Sequence, residues 1–218
     1  IAYSRGEDEK AVQHLTDSVR SAESEELKRR ATILCAQVYQ RLGDGYLDQE
    51  FCLTEKAQRL FDERRPKQAV ILAAGAGMRM VPINTEQPKG LLEVGGEALI
   101  ERVIRQLQDA GIADIRIVVG FMKERYEYLI DEYDVELIYN KDYASKGNLY
   151  SLARAADYLD NAYIVPCDIW CRENPFHRDE LYSWYMVSTE EDEDSTVKVN
   201  RKRELRLVRE EETGCRMI

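Results

Sequence analysis

Residues 68–94 read QAVILAAGAGMRMVPINTEQPKGLLEV. Four apolar residues (69–72) run into a loop of alanine and glycine that leads to a basic residue, Arg79. A short apolar run that breaks into small residues predicts a buried strand feeding a loop able to cradle phosphate. Gly75 and Gly77 tolerate positive φ and carry no side chain, so backbone N–H groups there can approach an anion. Beyond Arg79 the Pro88-Lys89 pair adds a second cation, and Arg79 and Lys89 together supply fixed positive charge for a polyphosphate. Two better-known phosphate loops are excluded. Met80 stands where the dinucleotide fingerprint G-x-G-x-x-G has its third glycine, and no G-K-[ST] is present to make a P-loop.

The string L-A-A-G-x-G-x-R-M, with P-K-G-L-L-E-V close behind it, resembles the signature of nucleotidyltransferases that join a nucleoside triphosphate to a phosphorylated small molecule. The likeness is close over 67–152 and looser over 153–208. It implies that Leu72, Ala73, Ala74, Gly75, Ala76 and Gly77 hold the triphosphate. It also implies that Arg79 neutralises the leaving pyrophosphate and that Lys89 bridges the α-phosphate and the acceptor phosphate.

The chain has 218 residues, enough for one or two domains with a sizeable core. Its formal charge is −10, which disfavours nucleic acid and anionic membrane surfaces as partners. There is no long apolar run and no opening signal segment. Five cysteines, odd in number and irregularly spaced, predict reduced thiols in a cytoplasmic protein rather than a disulfide framework or a zinc site. The chain opens at Ile1 and stops at Ile218, and the transferase domain is expected to be incomplete at its C-terminus.

Residues 1–66 differ from the rest of the chain, being rich in Glu, Arg, Lys and Gln. Apolar positions such as Leu27, Ile33, Leu34, Val38 and Leu42 recur at helical spacing. The pattern predicts helices near 8–20 and 25–42, short strands around 46–48 and 51–54, and a helix over 55–63 capped by Thr54 and ended by Pro66. Helix, hairpin and a second helix start resemble the end of a winged helix-turn-helix module over about 38–60. The extension reads either as a helical segment with packing or homodimer duties, or as a DNA-binding appendage. Lys28, Arg29, Arg30 and Arg41 offer phosphate contacts, but Glu and Asp interleave with them.

From Lys67 onward strands and helices alternate. Strands are predicted at 69–72, 115–119, 135–139 and 162–165, a short extended piece at 91–94, and helices at 98–110, 123–133 and 148–157. A hairpin-like pair is expected from 196–200 and 204–208, with 190–194 a solvated acidic loop. The alternation argues an α/β fold with a mostly parallel sheet flanked by helices, spanning 67–218. In such sheets ligands sit beyond the carboxyl ends of the strands.

Asp168, in Y-I-V-P-C-D, falls at that edge, where the resembled family places a magnesium-binding aspartate. Magnesium takes hard oxygen ligands and keeps water and substrate phosphates, so one or two carboxylates suffice. An aspartate at a strand end also serves as a turn or helix cap. The resemblance implies a second metal carboxylate, which is not placed in this chain.

Residues 140–152 (NKDYASKGNLYSL) look like the phosphocholine cytidylyltransferases, with some likeness to inositol-phosphate enzymes. Asn140, Asn148 and Ser151 are candidates to hydrogen-bond base or ribose, or else turn residues with Asn148 as a helix N-cap. Trp170, Phe176, Tyr182, Trp184 and Tyr185 crowd a helix-like stretch beyond Asp168. Aromatic faces recognise quaternary ammonium groups, so Trp170 and Trp184 are candidate walls for choline, or else core residues.

The resemblance implies a magnesium-dependent transfer of CMP from CTP to phosphocholine. A sugar-1-phosphate nucleotidyltransferase is the alternative enzyme, and a nucleotide-sensing DNA-binding regulator the alternative from another class.

Overall fold

A computed structural model describes residues 45–46, 54–77, 86–178, 180, 183–200, 204–209 and 212–217. Of the predicted helices at 8–20 and 25–42, the strands at 46–48 and 51–54 and the winged-helix likeness over about 38–60, only 45–46 and 54–60 fall within these residues. The chain divides into two compact units, Ile1–Leu181 and Tyr182–Ile218.

In the first unit helix α1 (Glu55–Arg64) starts as predicted, with the Thr54 side chain accepting from the Ala57 N–H at 3.3 Å. Ala57 and Phe61 are its buried residues. Beyond it the chain enters the sheet. Strand β1 (Gln68–Ala73) pairs in parallel with β4 (Asp114–Val119) on one side and with β6 (Ala162–Pro166) on the other. Strand β5 (Glu136–Tyr139) pairs in parallel with β4, giving the order β5-β4-β1-β6. Ala69, Val70 and Ile71 are fully buried, as a central strand covered on both faces requires.

Alternation along β1 feeds two cores. Ala69, Ile71 and Ala73 join Ile115, Ile117 and Val119, under Ile100, Val103, Ile104 and Leu107 of α2 (Leu99–Asp109). Val70 and Ala74 join Val118 and Ala155, with Leu152 and Tyr158 packed against them. Gly111, at φ +80, turns the chain out of α2 in the left-handed region. Between β1 and α2, Glu93–Val94 (β2) and Glu97–Ala98 (β3) make a small hairpin whose two turn glycines, Gly95 and Gly96, both have positive φ.

The expected extended piece at 91–94 begins one element later: Lys89–Leu91 is a 3₁₀ turn, with the Leu92 N–H bonded to the Lys89 carbonyl. The helix expected over 123–133 is a 3₁₀ turn, Lys123–Tyr126, followed by α3 (Tyr128–Tyr133). The tight turn seats Tyr126 in the core at 1% exposure. Helix α4 (Asn148–Arg154) is followed by a 3₁₀ turn at Ala156–Tyr158.

The described part of 170–186 contains no helix, so the helix-like aromatic stretch is corrected. Of its rings Phe176 is core, edge-on to Tyr163 at 5.1 Å, whereas Trp170, Trp184 and Tyr185 are exposed. In the second unit the acidic run is also corrected. Strand β7 (Val187–Asp192) pairs antiparallel with β10 (Gly214–Met217), a partner that local charge cannot reveal. The predicted hairpin is there as β8 (Val197–Val199) and β9 (Leu205–Leu207). The Arg206 guanidinium grips Glu212 through two bonds of 2.7 Å and holds its carboxyl down at about 2.

Candidate active site

The chain runs from β1 outward through β4 to β5 and then returns to the far side of β1 as β6. The carboxyl ends of β1 and β6 therefore flank a topological switch point, where open α/β sheets leave a crevice. Every described member of the sequence-level phosphate site is found at this edge. Ala73 and Ala74 are buried at the strand end, and Gly75 is exposed. A Cβ built at Gly75 would have no atom within 4 Å, so the backbone there is open to a ligand. Gly77, at φ +60, takes the left-handed conformation that glycine allows without strain. Arg79 lies outside the described residues.

The loop is pinned from below. The Phe121 N–H donates to the Ala74 carbonyl at 3.1 Å, and the Cys167 N–H to the Leu72 carbonyl at 3.2 Å. Gly120 makes the first bond feasible, since a Cβ on it would lie 2.6 Å from Tyr143 Cβ and 2.8 Å from the Ala74 oxygen. In the sequence a glycine after the apolar run 115–119 carries only a general turn signal. Its real constraint is close approach, set by residues remote in sequence.

Lys89 and Asp168, 79 residues apart, meet across the crevice as an ion pair between Nζ and Oδ2. Both side chains are about one-third exposed, at 36% and 31%. The pair puts an ammonium and a hard carboxylate at one point of the sheet edge. Among the described residues no three His, Cys, Asp or Glu side chains converge as a metal cluster. Asp168 thus offers a single carboxylate with access to water, a donor set that fits magnesium, which draws its remaining ligands from phosphates and water.

Beneath the pair lies a buried knot of side chains. Cys167 is buried against Gly90, and burial, reinforced by the charge of Asp168, pushes its thiol up to about 12. Burial likewise raises the Tyr126 hydroxyl above the ordinary tyrosine range. Neither residue stands out in the sequence, because a tyrosine in a charged turn and a cysteine at a strand end carry no local signal.

Asn140 is fully buried and hydrogen-bonded within the protein. Its Nδ2 donates to Ser151 Oγ at 3.0 Å, its Oδ1 accepts from the Asp142 N–H at 3.0 Å, and its own N–H reaches the Val119 carbonyl. Asn140 and Ser151 therefore order the 140–147 loop. Tyr150 adds a bond from its hydroxyl to Asp142 at 2.9 Å. Asn148 is the first residue of α4 and exposed. Gly147 takes the cap position, so the N-cap expectation for Asn148 is corrected.

Trp170 is 43% exposed, and the Arg102 guanidinium lies over its ring at 4.8 Å. The same arginine donates to the Cys171 and Arg172 carbonyls at 2.8 and 2.7 Å and pairs with Glu97 at 3.2 Å. Helix α2 thus clamps the segment beyond Asp168. Trp184 belongs to the second unit and is exposed there.

Comparison with known proteins gives consistent matches. A model described as the MobA-like NTP transferase domain matches residues 69–207. The choline-phosphate cytidylyltransferase of Streptococcus pneumoniae is 40% identical over 125 residues, covering 57% of this chain and 55% of that protein. The choline-phosphate cytidylyltransferase of Haemophilus influenzae is 37% identical over 119 residues, covering 55% of this chain and 51% of that protein. The chain spans about half the length of these curated relatives. A solved structure of CTP:phosphocholine cytidylyltransferase from Streptococcus pneumoniae superposes with a TM-score of 0.60 at 33% identity, covering 70% of this chain and 66% of that one.

Proposed function

Because the chain belongs to the family of MobA-like NTP transferase domains, we propose that it transfers CMP from CTP to a phosphorylated small molecule, phosphocholine before others, and releases pyrophosphate. Within this reading residues 67–218 are the transferase domain and 1–66 an appended extension. The observation that supports it most is the Lys89–Asp168 pair at the switch point, beside the open backbone of Gly75. The similarity to two choline-phosphate cytidylyltransferases supports the choice of nucleotide and acceptor.

The chemistry is an in-line displacement. A phosphate oxygen of the acceptor bonds to the α-phosphorus of the triphosphate, the bond from that phosphorus to the bridging oxygen breaks, and pyrophosphate carries away the electron pair. An ionised phosphate needs no general base, so the protein contributes positioning and charge. The 73–77 loop offers backbone N–H groups to the triphosphate. Lys89 exchanges Asp168 for the two phosphates that must approach each other, drawing them together by its charge. Asp168 would hold magnesium, which would supply further neutralisation of the phosphate charge. Trp170 is the candidate contact for the trimethylammonium group.

The test is a substrate panel. ATP, CTP, GTP, UTP and dTTP are each offered with phosphocholine, phosphoethanolamine and glucose 1-phosphate, and pyrophosphate is measured. CTP with phosphocholine is expected to lead. A chain that uses glucose 1-phosphate and ignores phosphocholine refutes the acceptor while leaving nucleotidyl transfer intact.

A further inference from the structure

We propose that Tyr126 is a positioning residue for this transfer: its buried hydroxyl, set between Gly90 and Cys167, fixes the backbone that carries Lys89 and Asp168. The proposal rests on the nucleotidyl-transfer reading above. Gly90 directly succeeds Lys89, and Cys167 directly precedes Asp168. A Cβ at Gly90 would lie 3.1 Å from Tyr126 Oη, 3.1 Å from Cys167 Cβ and 3.2 Å from Cys167 Sγ. Three segments therefore meet at one point with no spare volume: the 3₁₀ turn at Lys89–Leu91, the residue after β6, and the 3₁₀ turn at Lys123–Tyr126.

A buried hydroxyl at this point calls for a reason. Tyr126 is 1% exposed, so a phenylalanine would fill the same apolar space without a polar atom to satisfy. Its oxygen instead packs against the Gly90 backbone, where a Cβ would come within 3.1 Å of it, beside the Cys167 side chain. Cys167 in turn is tied to β1 through the Leu72 carbonyl. The chain of contacts thus runs from the phosphate-loop strand through Cys167 and Tyr126 to Gly90, with Lys89 and Asp168 projecting from its two ends. Being buried, Tyr126 reaches no substrate and acts through those two residues.

Tyr126→Phe removes only the oxygen. In the full chain kcat with CTP and phosphocholine should fall about 10- to 10²-fold, the loss expected when reacting groups are misplaced by an ångström. KM for CTP should stay within about twofold, because the loop that holds the triphosphate is untouched. A crystal structure of the variant should show Lys89 and Asp168 parted. Gly90→Ala, which drives a methyl group at the same oxygen, should lower kcat in the same way. Combining it with Tyr126→Phe should recover part of that loss, whereas two merely structural defects would multiply. Should Tyr126→Phe fail to fold, Gly90→Ala carries the kinetic and crystallographic test by itself. Unchanged kcat in folded variants, or an intact Lys89–Asp168 pair in their crystal structures, overturns the proposal. If the unmodified chain releases no pyrophosphate from any triphosphate, the functional reading falls, while the crystallographic arm still decides whether Tyr126 holds the pair.

Discussion

Replacing Lys89 by alanine separates two roles that the Lys89–Asp168 pair could have. As a structural clasp, a pair with side chains 36% and 31% exposed is largely solvated. Such a pair contributes at most about 1 kcal/mol to folding. For a chain of this size that shifts Tm by about 2–4 °C. As a contact to charge that develops during transfer, the same lysine contributes about 2.7–4 kcal/mol to the transition state, or 10²–10³ in kcat/KM. The second figure exceeds the first severalfold, so the two roles predict different results in one experiment. Lys89→Ala is expected to lower kcat/KM by about 10²–10³, with Tm within a few degrees of the parent. Pyrophosphate release under subsaturating CTP gives the first quantity and thermal denaturation the second. Lys89→Arg tests geometry, since a planar fork does not reproduce a point charge that must move between phosphates. A folded Lys89→Ala protein with turnover close to the parent would refute the assignment, and with it the reading of the crevice as a transfer site.

Asp168→Asn keeps the shape and removes the charge offered to magnesium, so activity should be lost and its magnesium dependence weakened while Tm barely moves; near-full activity at low magnesium would make Asp168 a structural cap. Gly120→Ala forces a methyl group to 2.6 Å from Tyr143 Cβ and 2.8 Å from the Ala74 oxygen, and denaturation should register a loss of about 1–3 kcal/mol together with reduced CTP binding. Trp170→Ala should raise KM for phosphocholine about 2- to 30-fold and leave KM for CTP nearly unchanged, the span set by a cation–π contact of roughly 0.5–2 kcal/mol. Cys167 has a folded pKa of about 12 against an ordinary 9.0, so it binds its proton more tightly when folded. Its contribution to stability is complete below pH 9 and declines as pH rises from there to about 12; Tm against pH should show this alkaline loss, and Cys167→Ala should reduce its slope.

The described sheet and its helices were legible where burial is strong: β1 is covered on both faces and α2 on one. The apolar run at 69–72 and the 3.6-residue spacing over 99–107 each have one plausible solution, and both appear within a residue or two of their predicted bounds. Less was legible where a tertiary partner decides. The acidic run around Glu190 reads as a loop by charge, but its backbone is claimed by Gly214–Met217. The aromatics past Asp168 read as one helix-like stretch, yet the described part holds no helix, Phe176 is core and Trp170 and Trp184 are exposed.

The site shows the same division. Lys89 and Asp168 were each visible, one in a Pro-Lys signature and the other at a strand end, because their chemistry lies in the side chain itself. That they meet depends on β6 lying beside β1, which no local pattern encodes. Trp170 is a sharper case. Sequence offers an aromatic two residues past a carboxylate, and an aromatic face attracts a cation. The structure supplies a cation already, Arg102, at 4.8 Å and anchored by Glu97 and two carbonyls. A guanidinium so held draws on the negative face that it covers, so a trimethylammonium must either take the open side of the indole or displace a well-tethered arginine. Displacement would sacrifice hydrogen bonds that also fix the segment beyond Asp168. The open side is therefore the only economical place for choline on this ring, and the acceptor phosphate would then have to reach Lys89 from that side of the crevice.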